Sequence, residues 1–342
     1  MLKLAAVCAE GLEDLLFDEI LEYGHIINPE KYKGMLIFDF EGELKDLRKI
    51  KTAVDIQIFL KRFSGITRYK TSLRNIRQQC AKADIKSKLP LIESFRKINN
   101  TFSVKASYIG RRDYKAGEIE KTAQEGISKN SLVYKEDASL LLRLIIIPEI
   151  SFLGLCLEDK PMDEKKAYVT TPGSLRPSVA NTLLKLADVK EGDIVIDPMC
   201  GTGVIAIEAS KIGNAIAGDI DKEKIKLAGQ NAKSKNAKMQ FHIWDARKTG
   251  LKDRSADAIV TNLPFEKKAN IEGFNETFFD ELIGEMIRIT KDNARLVFLT
   301  GHSESLIKAA KSHNLEIVSV REIVNSGLKS TIVVLKNLTF FH

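Results

Sequence analysis

From about residue 174 to the end of the chain, short strand-like runs alternate with helical stretches, and that alternation leaves few folds open. Strands are expected at residues 193–197, 215–219, 239–244, 257–262 and 295–300, with helices at 204–212, 222–234, 277–290 and 305–312. Such a repeat closes as a mostly parallel sheet with helices on both faces, since each crossover must cover the sheet it leaves. Two further strands, 316–320 and 331–336, have only a loop between them and are expected to form an antiparallel hairpin. The expected fold class is therefore α/β, with a C-terminal Rossmann-like domain built on a mostly parallel seven-stranded sheet.

Upstream the pattern is α+β. Residues 1–63 read as a helix over 11–23 stopped by Gly24, a strand over 34–40, a helix over 43–53 and a strand over 56–63. Residues 64–160 read as helices over 73–83, 91–97 and 118–129, and strands over 101–107, 139–147 and 150–157. A polar stretch bracketed by Pro161 and Pro172 is taken as a linker, 161–173, so the last domain covers 174–342.

Charge divides the chain more sharply than hydropathy does. Residues 1–60 hold 7 Lys/Arg against 12 Asp/Glu, whereas residues 61–115 hold 15 against 3. An excess of this size repels itself unless something anionic lies nearby, and nucleic-acid phosphate is the usual partner. No apolar run approaches the ~18 residues that cross a bilayer. The longest, 140–148, is interrupted by Arg143. The first residues turn acidic without the apolar core of a signal peptide, so a cytoplasmic protein with no membrane association is expected. Cys8, Cys80, Cys156 and Cys200 are dispersed, and the five histidines show no ligand spacing, so neither a metal site nor a disulfide framework is expected.

The chemistry is concentrated at strand ends. Asp197-Pro198-Met199-Cys200-Gly201-Thr202-Gly203 lies between the first strand and the first helix of the repeat, and its glycines permit a sharp turn close to a ligand. Asp219 ends the next strand 22 residues after Asp197, where a doubly wound fold places a carboxylate on ribose hydroxyls. Gly201, Gly203 and Ala206 also satisfy the loose dinucleotide pattern, so on these residues alone a nicotinamide-dependent oxidoreductase stays open. Asn262-Leu263-Pro264-Phe265, at the end of the fourth strand, favours methyl transfer to an exocyclic amine. The amide oxygen of Asn262 and the carbonyl of Leu263 can accept the two amine N–H groups. Pro264 stiffens the turn, and Phe265 offers a face for an extruded base. Asp245 ends the third strand, where a carboxylate can accept an adenine amino group. Asp221 suits the cap of the following helix, and Cys200 suits pocket lining rather than a nucleophile.

Taken in order, these motifs resemble the THUMP-domain class of RNA methyltransferases over nearly the whole chain. Glu10-Gly11-Leu12-Glu13 is similar to the opening of that family's ferredoxin-like domain. Residues 102–126, with Arg111-Arg112-Asp113-Tyr114 and Glu118-Ile119, are similar to its THUMP domain. Leu175-Arg176-Pro177-Ser178 matches the lead into its catalytic domain. The resemblance implies S-adenosylmethionine as cofactor, bound by Asp197, Pro198, Met199, Cys200, Gly201, Gly203, Asp219, Ile220, Asp245, Ala246 and Asn262. It implies Asn262, Leu263, Pro264 and Phe265 at the target base, and Arg111, Arg112, Tyr114 and Lys115 on RNA, with Tyr114 as a stacking partner. The branch it resembles makes N2-methylguanosine in tRNA, and the Asn-Leu-Pro-Phe form is similar to the enzymes acting at guanine 6. Where the family has glycine after the aromatic residue, this chain has Glu266. The expected protein is thus a monomeric tRNA guanine-N2 methyltransferase. Methylation at guanine 10 or of rRNA, adenine-N6 methylation and a decayed RNA-binding protein are the alternatives.

Overall fold

The computed structural model describes residues 1–162, 168–169, 171, 174–264, 275–325 and 327–338. The chain divides into two compact units, Met1–Cys8 with Leu12–Lys165, and Ala9–Gly11 with Lys166–His342.

The first unit begins with β1 (Leu2–Val7), α1 (Glu13–Leu21), β2 (Gly24–Tyr32), β3 (Met35–Gly42) and β4 (Asp55–Phe63). These strands lie in the order β2-β3-β1-β4 with every neighbour antiparallel, the split βαβ arrangement of a ferredoxin-like fold. It continues through α2 (Thr71–Ala81), α3 (Leu89–Glu93), β5 (Thr101–Tyr108), α4 (Ala116–Ile127), β6 (Val133–Tyr134), β7 (Leu140–Ile146) and β8 (Ser151–Cys156). Because β8 pairs with β4, one eight-stranded sheet runs through residues on both sides of position 63.

The helix expected over 43–53 is only a short 3-10 turn, Asp46–Lys49. The buried Glu19 carboxylate on α1 accepts the backbone N–H groups of Lys51 and Thr52 at 3.0 and 3.1 Å. Those donors are thereby satisfied from the side, and Ile50 is already extended at ψ 130°. Three strands escape the sequence pattern, among them the two-residue β6. β1 is alanine-rich, and β2 is a polar edge strand whose register shifts between Ile27 and Glu30, around Pro29.

The second unit opens with α5 (Pro177–Leu186). It then alternates β9 (Ile194–Asp197), α6 (Val204–Ala209), β10 (Asn214–Asp219), α7 (Lys222–Ser234), β11 (Gln240–Ile243), β12 (Ala256–Asn262), α8 (Glu276–Ile289), β13 (Thr290–Thr300), α9 (Ser303–Ser312), β14 (Glu316–Asn325) and β15 (Leu328–Lys336). The order is β11-β10-β9-β12-β13-β15-β14. Strands β9 to β13 are parallel, and β14 and β15 form the antiparallel hairpin expected from the sequence. Period-two alternation splits the strand side chains between two cores. Ile196, Ile259, Leu296, Phe298, Val333 and Leu335 face Phe279, Leu282 and Met286 of α8 and Leu306 and Ala310 of α9. The strand order reverses between β9 and β12, so the crevice at their carboxyl ends is the topological switch point where such sheets bind ligands.

Candidate active site

Four strand ends meet at that crevice. Gly201 (φ 52°) and Gly203 (φ 83°) take the left-handed backbone that turns β9 into α6. A β-carbon on Gly203 would meet Ala228 of α7 at 2.9 Å, so helix and turn pack glycine-close.

Asp197 is buried, and its Oδ1 accepts the Thr261 hydroxyl of β12 at 2.8 Å and the Met199 N–H at 3.4 Å. Burial pushes its carboxyl up to about 7, with the Thr261 and Met199 hydrogen bonds opposing and the charge of Asp219 adding. Asp219 is also buried. It accepts Gly201 N–H on Oδ2 at 2.9 Å and Asp221 N–H on Oδ1 at 3.0 Å, so it staples the glycine turn to the end of β10. Each oxygen keeps a lone pair for a further donor. Asp221 caps α7 by accepting Glu223 N–H at 2.9 Å, as its position suggests. Ile220, between these carboxylates, is 69% exposed and presents an apolar wall.

Three fastenings are silent in the sequence. Trp244, after β11, donates its indole N–H to Pro198 O at 3.0 Å, and a β-carbon on Gly218 would lie 1.9 Å from its ring. Asn231 of α7 donates to Thr202 O at 2.9 Å and to Val169 O at 3.0 Å, and accepts Val169 N–H at 2.7 Å. Thr261 is the third. Each joins residues that are distant in the chain, so no local motif marks it.

Asp245 lies at the end of β11, but both its oxygens are engaged by Arg247, at 2.6 Å to Oδ2 and 3.0 Å to Oδ1. Arg247 reaches on to Glu281 at 3.0 Å and holds the Asp245 carboxyl below its usual range. Ala246 and Pro198 are buried, and Met199 packs partly buried against the α8–α9 core. Burial raises the Cys200 thiol far above its ordinary range, which fits lining and not nucleophilic attack.

Asn262 ends β12, next to Thr261 in the chain, and its Oδ1 is buried with no hydrogen-bond partner among the described residues. Leu263 is fully buried and donates its N–H to Leu299 O at 2.8 Å, fixing the chain as it leaves the sheet. Pro264 is half-buried, and Phe265 lies outside the described residues, as does Glu266.

Comparison with known proteins points to methyl transfer. Residues 165–331 match a domain model described as RMKL-like, methyltransferase domain. Over those residues, just under half of the chain, it is similar to that methyltransferase family. Over 246 residues the chain is 28% identical to a tRNA (guanine(6)-N2)-methyltransferase of Thermus thermophilus, covering 70% of this chain and 73% of that one. A tRNA (guanine(6)-N2)-methyltransferase of Methanocaldococcus jannaschii is 23% identical over 383 positions, covering 94% and 96%. Among solved structures, TrmN from Thermus thermophilus shares the fold at a TM-score of 0.74 and 23% identity, covering 99% of this chain and 100% of that one.

The residues expected on RNA lie in the first unit and need one correction. Tyr114 is 1% exposed, and its hydroxyl donates to Thr67 O at 2.6 Å, so it cannot stack on a base. Arg112 is tied down as well, donating to Thr67 O at 3.0 Å and to the Tyr114 hydroxyl at 2.9 Å. Arg111 and Lys115 are exposed. The exposed aromatic nearby is Tyr69, 51% exposed, with the Arg68 guanidinium 4.9 Å over its ring.

Proposed function

We propose that the chain is a cytosolic tRNA methyltransferase that forms N2-methylguanosine at guanine 6, using S-adenosylmethionine. The observation that carries this reading is the buried, unpartnered Oδ1 of Asn262 at the switch point. An acceptor in that setting calls for a donor, and an exocyclic amine supplies one. Its free reduced cysteines, Cys8, Cys80, Cys156 and Cys200, suit the cytosol.

The residues fit the cofactor. Asp197 and Asp219 bring two buried carboxylates to a site for a cationic ligand, and Asp219 keeps lone pairs for ribose hydroxyls. Ile220 offers apolar surface to a base, and Asp245, oriented by Arg247, offers an acceptor to its amino group. S-adenosylmethionine when bound supplies a methyl group on a cationic sulfur, which departs as a neutral thioether. Asn262 accepts one amine N–H and turns the nitrogen lone pair toward that methyl. As the N–C bond forms, the nitrogen becomes positive and its N–H groups more acidic, so the Asn262 hydrogen bond strengthens in the transition state. The methylated amine then releases its proton to water, and no strong side-chain base is needed. Residues 64–160 serve as the RNA-binding module, with Arg111 and Lys115 as exposed cations and Arg112 as a partly buried anchor of their loop.

Nucleoside mass spectrometry of bulk tRNA incubated with the protein and labelled S-adenosylmethionine tests this. Label is expected in N2-methylguanosine, and, when the same tRNA is cut into oligonucleotides, in the fragment that carries position 6. Label in N6-methyladenosine, or none in RNA, overturns the assignment.

A further inference from the structure

Positive charge in the second unit is concentrated on one helix. Residues 171–342 hold 24 Lys/Arg against 21 Asp/Glu. Residues 222–238 alone hold six lysines and one glutamate, which leaves 18 against 20 elsewhere. On α7, Lys222, Lys226 and Lys233 are exposed and recur at positions four and eleven residues apart, which puts them within a narrow stripe. The stripe is about 16 Å long at ~1.5 Å per residue. It lies away from the buried face formed by Ala228, Asn231 and Ala232. Among the described residues Lys226 has only a long contact with Glu223, at 3.8 Å between two well-exposed groups. Among the described residues no carboxylate lies within ion-pair distance of Lys222 or Lys233. Lys238 extends the charge beyond the helix, whereas Lys235 is occupied over the Tyr168 ring at 5.2 Å.

Its placement gives the stripe a direction. α7 begins three residues after Asp219, the carboxylate that staples the glycine turn, and Asp221 caps it. The stripe therefore starts at the rim of the cofactor crevice and runs away along the outside of the domain. Exposed lysines, spaced along a rigid rod with no exposed apolar residue between them, match a chain of separate anions better than a protein surface.

We propose that Lys222, Lys226 and Lys233 form a phosphate-contact surface on the methyltransferase domain, which holds the RNA backbone beside the target nucleotide. The surface is additional to the basic segment 61–115, and it rests on the reading that the substrate is tRNA. Its contacts set register without reading bases, and the base itself is read at Asn262.

The test uses the full chain with Lys222→Glu, Lys226→Glu and Lys233→Glu combined, and a second variant with all three changed to Gln. Filter binding of bulk tRNA at several salt concentrations is measured beside calorimetric titration with S-adenosylmethionine. Losing three phosphate contacts should flatten the slope of log K against log salt by about 2 and weaken binding about 10-fold or more, with a smaller loss for the Gln variant. Cofactor affinity equal to wild type shows that the variants are folded. If wild type binds tRNA and both variants match its affinity and slope, the lysines are an ordinary solvated face and the proposal fails alone. If wild type itself does not bind tRNA, the functional reading fails and the partner proposed for the stripe falls with it.

Discussion

Asn262→Ala separates stability from catalysis in a way that an ordinary buried asparagine would not. A hydrogen-bonded amide truncated to alanine leaves its partner unsatisfied, typically at a cost of about 1–3 kcal/mol. The Oδ1 of Asn262 is buried and has no partner among the described residues, so truncation strands nothing on that side. It also removes an acceptor that was itself desolvated. The expected change in stability is near zero or slightly favourable, a Tm shift of no more than about 4 °C for the second unit's transition. Catalysis should respond oppositely. A hydrogen bond that strengthens as the amine becomes cationic, lost from the transition state, corresponds to a rate loss of ~100-fold, or about 2.7 kcal/mol. Two assays decide it: calorimetric unfolding of the variant, and methyl transfer to tRNA at saturating cofactor and RNA. Turnover within a few-fold of wild type would refute the role at the amine. Destabilisation beyond about 2 kcal/mol with a proportional activity loss would instead mark Asn262 as structural.

Asp219→Ala should weaken S-adenosylmethionine binding by ~10- to 100-fold, since it removes a charge-assisted acceptor worth about 1.5–3 kcal/mol and also unstaples Gly201; unchanged affinity by calorimetry would place the ribose carboxylate elsewhere. Asp197 has its folded pKa raised from 3.8 to about 7, so the proton it holds stabilises the unliganded fold below about pH 4, and that contribution is lost as pH rises through 7. A cationic cofactor prefers the ionised carboxylate, so its affinity should rise as pH passes through about 7 and level off about one unit higher. Asp197→Asn should flatten the profile, and an affinity independent of pH in wild type would sink this coupling. Changing Arg111 and Arg112 together to Glu should weaken tRNA binding and reduce its salt slope while leaving cofactor affinity intact; filter binding at three salt concentrations showing no change would remove Arg111, and the loop that Arg112 anchors, from the RNA surface. Tyr114→Phe removes the hydroxyl bonded to Thr67 and should lower stability by about 1 kcal/mol without altering tRNA affinity, whereas an RNA-binding defect in a fully stable variant would contradict its burial.

What was legible in the sequence was what depends on local periodicity. α7 occupies the residues that its apolar spacing and Asp221 cap indicate, and β10 ends at Asp219 as its run of small and β-branched residues does. The glycine turn and Asn262 could be placed at strand ends because the strand–helix repeat puts every loop of one kind on one edge of the sheet. Elements set by distant partners were not legible. The helix expected over 43–53 yields to the Glu19 carboxylate, which takes two of its backbone donors from 32 and 33 residues away. Tyr114 reads as a surface aromatic because it follows two arginines, yet its hydroxyl belongs to Thr67, 47 residues earlier.

The same limit explains why the sequence shows the residues proposed to face a ligand in the crevice but not those that hold them. The turn at Gly201 and Gly203 uses backbone conformations that side chains rarely adopt and would not persist without support. Support comes from separate elements: Thr261 of β12 to Asp197, Asp219 of β10 to Gly201, Trp244 beyond β11 to Pro198, and Asn231 of α7 to Thr202. Each contact crosses to a different strand or helix, so the turn is shaped by the folded sheet rather than by its own seven residues. Two buried carboxylates, Asp197 and Asp219, are thereby fixed within one small crevice before any cation enters, at the cost of a raised Asp197 pKa. Charge fixed in advance needs no reorganisation when a sulfonium arrives, which is the condition for electrostatics to favour binding and transfer. The loose glycine pattern alone left a nicotinamide site open. The carboxylate pair and the buried acceptor on Asn262 are what turn it toward a cationic methyl donor and an amine.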